Sequence, residues 1–140
     1  MKLYLAGPMT GYPEFNFPAF AEAAATLRAA NYVVWSPHES DLEQEWAASA
    51  GDSYDPAAGS TGGGSPGVAL RFFLRRDLVA VLDSDAVAVL DGWQASVGAR
   101  VETYVAFSVG IPVHAYSEGV GIDLSKPLSK YEHPHYTKPS

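Results

Sequence analysis

The sequence predicts an α/β fold built on a doubly wound parallel sheet of four to five strands, and three observations predict it. Short apolar runs alternate along the chain with longer segments of helical period. Gly or Pro turns stop most of those runs. The run Ala86-Val87-Ala88-Val89-Leu90 is apolar at five successive positions, as a strand covered on both faces requires. A length of 140 residues with 47% hydrophobic and 18% charged residues suits one domain with its own core.

Leu3-Tyr4-Leu5-Ala6, halted by Gly7-Pro8, reads as the first strand. Asn16 is placed to cap the first helix, with Pro18 in its first turn and Phe20, Ala24 and Leu27 at helical spacing until Asn31 closes it. Tyr32-Val33-Val34-Trp35 is the second strand, completing a β-α-β unit. From 49 to 67 the chain collects Gly51, Gly59, Gly62, Gly63, Gly64 and Gly67 with Pro56 and Pro66, which reads as a flexible insertion or a lid over a site. Ser65-Pro66 can start the next helix, carried to about Leu82. Asp83 and Asp85 close that helix and open the strand through Leu90; Val97 to Gly110 is helical and Ile111 to Ala115 is the fourth strand. Right-handed crossovers then give a three-layer sandwich of the flavodoxin/Rossmann-like kind. One domain is expected over 1–116, with 117–140 a polar C-terminal tail.

Composition excludes several function classes. The chain has no cysteine, so disulfides, thiolate nucleophiles, iron-sulfur clusters and Cys-bearing zinc sites are all out. A net charge of -7 has the wrong sign for a nucleic acid polymer, which leaves a small, locally held nucleotide as the natural partner of that class. No run approaches the roughly 18 to 20 apolar residues of a membrane span, and Gly7-Pro8 interrupts the N-terminus too early for a signal peptide, so no membrane partner and a cytoplasmic setting are expected. The first turn matches neither G-x-G-x-x-G nor Walker A, and G-x-S-x-G is missing, which disfavours dinucleotide dehydrogenases, P-loop ATPases and Ser-His-Asp hydrolases. No cofactor is expected. His133 and His135 flank Pro134 in the polar tail and read as a solvated terminus in preference to a metal site.

In a doubly wound sheet the ligand site lies beyond the carboxyl ends of the strands. Two acids point there. Leu70, Phe73, Leu74, Leu78 and Val81 form an apolar stripe at about 100 degrees per residue, and Asp77 falls in the middle of it, with Arg71, Arg75 and Arg76 projecting elsewhere. A carboxylate on such a stripe is costly unless paired, so Asp77 is either a structural group held by a partner or a site acid. Glu102 lies in the second turn of a helix that Ser96 caps, and one turn back stands Gly98, which has no side chain to fill the space over which Glu102 leans, so Glu102 is either aimed at that open helix N-terminus or a surface glutamate beside an incidental glycine. His38 and Glu39 follow the second strand and could face a ligand, though two polar residues in a loop read first as ordinary loop residues.

Tyr4-Leu5-Ala6-Gly7-Pro8-Met9-Thr10-Gly11, Arg76-Asp77-Leu78, the run from Asp85 to Leu90, and the stretch from Gly92 through Ser96, Gly98 and Glu102 occur together in this order. With them the chain resembles the nucleoside 2-deoxyribosyltransferase superfamily, especially its small phage and bacterial members. The resemblance implies Glu102 as the nucleophile, Asp77 as the aspartate near sugar and leaving base, and Tyr4 as the hydroxyl that orients the glutamate. Ser96 stands where typical transferases carry an aspartate and the related 2'-deoxynucleoside 5'-monophosphate N-glycosidases a phosphate-binding serine. A 5'-phosphate would then be held by the first turn, Gly7, Pro8, Met9, Thr10 and Gly11, with Ser96 and the amide of Gly98. The basic first-turn residue of the monophosphate enzymes is replaced here by Met9-Thr10. The resemblance also implies a homodimer or higher homo-oligomer. The activity expected is cleavage of the N-glycosidic bond of a 2'-deoxyribonucleoside or its 5'-monophosphate; the rival is a non-catalytic nucleotide-binding module of the same fold.

Overall fold

The computed structural model describes residues 1–39 and 66–136, with side chains from 71 onward in the second stretch. Most of the 49–67 insertion therefore lies outside the described residues. Its last two positions, Pro66 and Gly67, already belong to a helix.

Among the described residues four parallel strands form the sheet: β1 (Lys2–Ala6), β2 (Val33–Trp35), β3 (Ala86–Val89) and β4 (Val113–Ala115), in the order β2-β1-β3-β4. Helix α1 (Phe17–Ala29) covers one face, while α2 (Pro66–Leu82) and α3 (Val97–Val109) lie on the other. The alternation of side chains along a strand explains how β1 can be buried at Leu3, Tyr4, Leu5 and Ala6 at once. Leu3 and Leu5 join Phe20, Ala23, Ala24 and Leu27 of α1, whereas Tyr4 and Ala6 join Val81 of α2 and Ala99 and Ala106 of α3. β3 divides in the same way, Ala86 and Ala88 to one layer and Val87 and Val89 to the other. At roughly 1.5 to 3 kcal/mol for each fully buried large aliphatic or aromatic side chain, these two layers hold the sheet together. The Lys2 amide donates to the Asp85 carboxylate at 2.7 Å, which anchors the start of β3 beside β1.

The chain order reverses direction between β1 and β3, since β2 lies outward on one side and β4 on the other. That pair of carboxyl ends is the topological switch point, the place where such sheets bind ligands.

Three expectations need correction. Asn16 occupies the position before α1 but does not cap it: its φ is 59°, and its Nδ2 donates instead to the Pro8 carbonyl at 2.7 Å. The cause is a left-handed turn in which Glu14, Phe15 and Asn16 all have positive φ, aiming the amide back at the first turn. His133 is not solvated. It is 2% exposed, its Nε2 donates to the Arg100 carbonyl at 2.7 Å, its Nδ1 accepts from the His135 amide at 3.0 Å, and its ring packs beside Trp93, Phe107 and Tyr136. His38 is buried as well, bonded to Ser36 and packed against Phe17 and Phe20, while Glu39 pairs with Arg28 of α1.

Candidate active site

A cavity of about 500 Å³ opens at the carboxyl ends of β1 and β3, within the size range of small-molecule sites. Its walls come mainly from three segments, the turn after β1, α2 and the first turns of α3, with Pro37 after β2 and Ala95 before α3.

The first turn contributes Gly7, Pro8, Met9 and Thr10. Gly7 is required by packing, because a Cβ there would come within 2.8 Å of the Leu90 Cβ at the end of β3. Gly11, at φ 86°, makes the turn itself and is not among the lining residues.

α3 begins at Ser96, whose hydroxyl accepts from the Ala99 amide at 3.2 Å as an N-cap. Ser96, Gly98 and Glu102 all face the cavity. A Cβ on Gly98 would meet nothing within 4 Å, so the chain's own packing does not demand glycine there. Four residues on, Glu102 is 5% exposed and accepts a hydrogen bond from the Tyr4 hydroxyl at 2.8 Å through Oε2. Tyr4 itself has no exposed surface; it stands behind the carboxyl, its ring stacked on Trp35 at 5.2 Å.

Asp77 enters from α2, 7% exposed and lining the same cavity. Contrary to expectation Arg76 does not project away: its Nε and Nη2 lie 2.8 and 2.7 Å from Asp77 Oδ1. Its guanidinium carbon sits 5.5 Å from the centre of the Trp35 ring and 5.2 Å from that of Phe73. Successive helical residues diverge by about 100 degrees, but arginine is long enough to fold back along the helix, and two aromatic faces hold it there.

The electrostatics follow from burial. Loss of water pushes the Glu102 carboxyl well above the usual carboxylate range, and the adjacent Asp77 charge adds to this, with the Tyr4 hydrogen bond acting in the opposite sense. The Tyr4 hydroxyl is raised by its own burial and by the charges of Glu102 and Asp77. Two carboxyls close together in one buried site do not ionise independently of one another.

Of the residues expected at a site, Glu102, Asp77, Pro8, Met9, Thr10, Gly7, Ser96 and Gly98 meet at one cavity, Tyr4 stands immediately behind it, and Gly11 lies outside. Tyr12, Phe15, Pro37, Phe73 and Leu74 also line the cavity and were not foreseen in that role. Phe73 and Leu74 stood out only as members of an apolar stripe, a pattern that cannot tell a core face from a cavity wall. Phe15 carries no sequence signal, because its position depends on the left-handed turn. Among the described residues no group of three His, Asp or Glu side chains could hold a metal ion, and no helix is long and apolar enough to cross a membrane.

A family model described as a domain of unknown function, DUF4406, matches residues 1–55 and 65–115. No curated protein matches the chain. Among solved structures, a 2-deoxyribosyltransferase from Bacillus psychrosaccharolyticus superposes with a TM-score of 0.56 at 23% identity, covering 89% of this chain and 79% of its own. The structural likeness shows that this chain shares the fold of that enzyme.

Proposed function

The chain belongs to the DUF4406 family, and for it we propose cleavage of the N-glycosidic bond of a 2'-deoxyribonucleoside or its 5'-monophosphate, with the base released or exchanged. The observation that supports this reading most is the pair of buried carboxyls, Glu102 and Asp77, delivered by two helices to one cavity with Tyr4 bonded to the first. The solved structure of similar fold is itself described as a biocatalyst for nucleoside synthesis.

In this reading the C1'–N bond loosens first and positive charge spreads over C1' and the ring oxygen. The Glu102 carboxylate stabilises that charge and then bonds to C1', giving a deoxyribosyl-enzyme intermediate that water or a second base resolves. Tyr4 holds one Glu102 oxygen so that the other can face the sugar. Asp77 assists departure of the base by supplying a proton. A 5'-phosphate would lie against the first turn with Thr10 and the start of α3, where the Ser96 hydroxyl, the Gly98 amide and the helix dipole favour an anion. A homodimer or higher homo-oligomer, in which a neighbouring copy completes each site, belongs to the same proposal.

The test is base release from a panel of deoxyribonucleosides and their 5'-monophosphates, separated by chromatography, with Glu102→Ala alongside. Wild type is expected to free base from at least one of them, and the variant to be at least about a thousandfold slower. Nucleotides that stabilise wild type and Glu102→Ala alike against heat, with no base freed by either, would establish the non-catalytic binding module instead.

A further inference from the structure

Neither Trp35 nor Arg76 lines the cavity, yet both carboxyls lead back to them. On one side the Trp35 indole stacks on the Tyr4 ring, 13° from parallel, and Tyr4 holds Glu102. On the other, the Arg76 guanidinium lies over the same indole and grips Asp77 Oδ1 with two nitrogens. One ring from β2 therefore braces the holders of two acids that come from two helices.

We propose that Trp35 and Arg76 are a positioning couple behind the acid pair, fixing the two carboxyls in one relative geometry and keeping Asp77 its ionised member. It rests on the glycosidic reading given above. Among the described residues, the charged and titratable groups acting on Glu102 are Asp77 and Arg76 from α2 and Tyr4 from β1. A guanidinium bonded to Asp77 favours ionisation of that carboxyl, while Glu102, dry and beside a negative neighbour, keeps the proton. The resting pair is then Glu102-COOH beside Asp77 carboxylate.

This arrangement makes nucleophile and acid two ends of one transfer. Glu102 passes its proton to Asp77. Asp77 delivers it to the base nitrogen as the C1'–N bond breaks, with that bond's electron pair staying on the nitrogen. The freed Glu102 oxygen forms the new bond to C1'. Asp77 ends ionised against Arg76, as it began, so the proton lost by the nucleophile is the one that leaves on the base.

Two readouts test the couple, one of which needs no turnover. The first is the pH profile of base release by Arg76→Gln, Arg76→Lys and Trp35→Phe. Arg76→Gln should move the acid limb to higher pH by about 1 to 3 units and cut kcat with KM little changed, since the side chain lies behind the cavity wall. Arg76→Lys should recover part of the limb, lacking only the planar fork. Trp35→Phe, which keeps an aromatic face, should lower kcat up to about tenfold without moving the limb, since the charge on Arg76 stays. The second readout is carboxyl NMR titration of protein carrying ¹³C-labelled Glu and Asp, in which the pair's lower midpoint should rise in Arg76→Gln. Midpoints and acid limb unchanged in a folded Arg76→Gln would overturn the proposal. Inactive wild type with a displaced midpoint would instead sink the enzymatic reading and leave the couple standing.

Discussion

At Gly98 the demands of folding and of ligand binding come apart. The position is helical, has ordinary φ, and offers open space to a Cβ, so alanine there should stabilise the helix by up to about 1 kcal/mol through lower backbone entropy in the unfolded chain. The same open space is the volume in front of Glu102 that a sugar or phosphate would enter. Gly98→Ala and Gly98→Leu are therefore expected to melt at or above the wild-type temperature, while losing nucleotide-induced stabilisation in step with side-chain size. Calorimetry with and without a deoxynucleoside monophosphate measures both. Gly7 is the contrasting case: its neighbour is Leu90 at 2.8 Å, so its glycine is explained by the sheet alone. The spacing of Glu102 behind Gly98 was legible because a helix repeats every turn, and that period needs no tertiary information. The pairing of Arg76 with Asp77 was not legible. The direction of a long side chain is set by the rings it lands on, and Trp35 lies more than thirty residues away in sequence.

The element that departs most from sequence expectation is the turn between β1 and α1. Glu14, Phe15 and Asn16 adopt φ of 52°, 58° and 59°, a left-handed run of three residues that have side chains, in a conformation that costs roughly 1 to 2 kcal/mol at Glu14 and at Phe15 and less at asparagine. Such strain persists only where the surroundings over-determine it. Here Phe15 is buried in the cavity wall, its ring edge-on to Phe17, and Asn16 bonds the Pro8 carbonyl. The arrangement ties the turn that holds Pro8, Met9 and Thr10 to the start of α1. Asn16→Gly keeps the left-handed backbone and deletes the tie; Asn16→Ala deletes the tie and adds backbone strain. We expect Asn16→Gly to cost about 0.5 to 1.5 kcal/mol, the worth of one hydrogen bond, and Asn16→Ala about 1 kcal/mol more, read from chemical unfolding midpoints. Equal costs for the two would mean that Asn16 is kept for its backbone conformation only. Strands and helices were readable from period and punctuation. This turn was not, because asparagine before a proline-bearing helix is the ordinary sign of a cap, and only the packed Phe15 turns it into something else.

Across the whole molecule the site is a cost carried by the fold. The alternation of elements made the sheet and its ligand-binding edge legible, since handed crossovers leave few topologies. The segment after Tyr116 was not legible, having no period of its own; up to Tyr136 it is held by scattered bonds such as Gly119 to Glu22 and His133 to Arg100. Against this scaffold Glu102 works in the destabilising direction. Its folded-state proton affinity is raised above the ordinary value of 4.5, so the folded protein holds a proton that the unfolded chain releases. Below that value both states are protonated and the stability is fully present; it is lost progressively as pH rises toward the folded midpoint. Glu39 and Glu22, whose affinities are lowered by Arg28 and by Tyr116, act in the opposite sense and weaken the fold as pH falls. Glu102→Gln keeps an acceptor for the Tyr4 hydroxyl and removes only the titration. It should therefore melt close to wild type near pH 4, and increasingly above it as pH rises through neutrality. A melting-temperature difference independent of pH would show that Glu102 titrates alike in the folded and unfolded chains, and that the pocket around it is wetter than its 5% exposure implies.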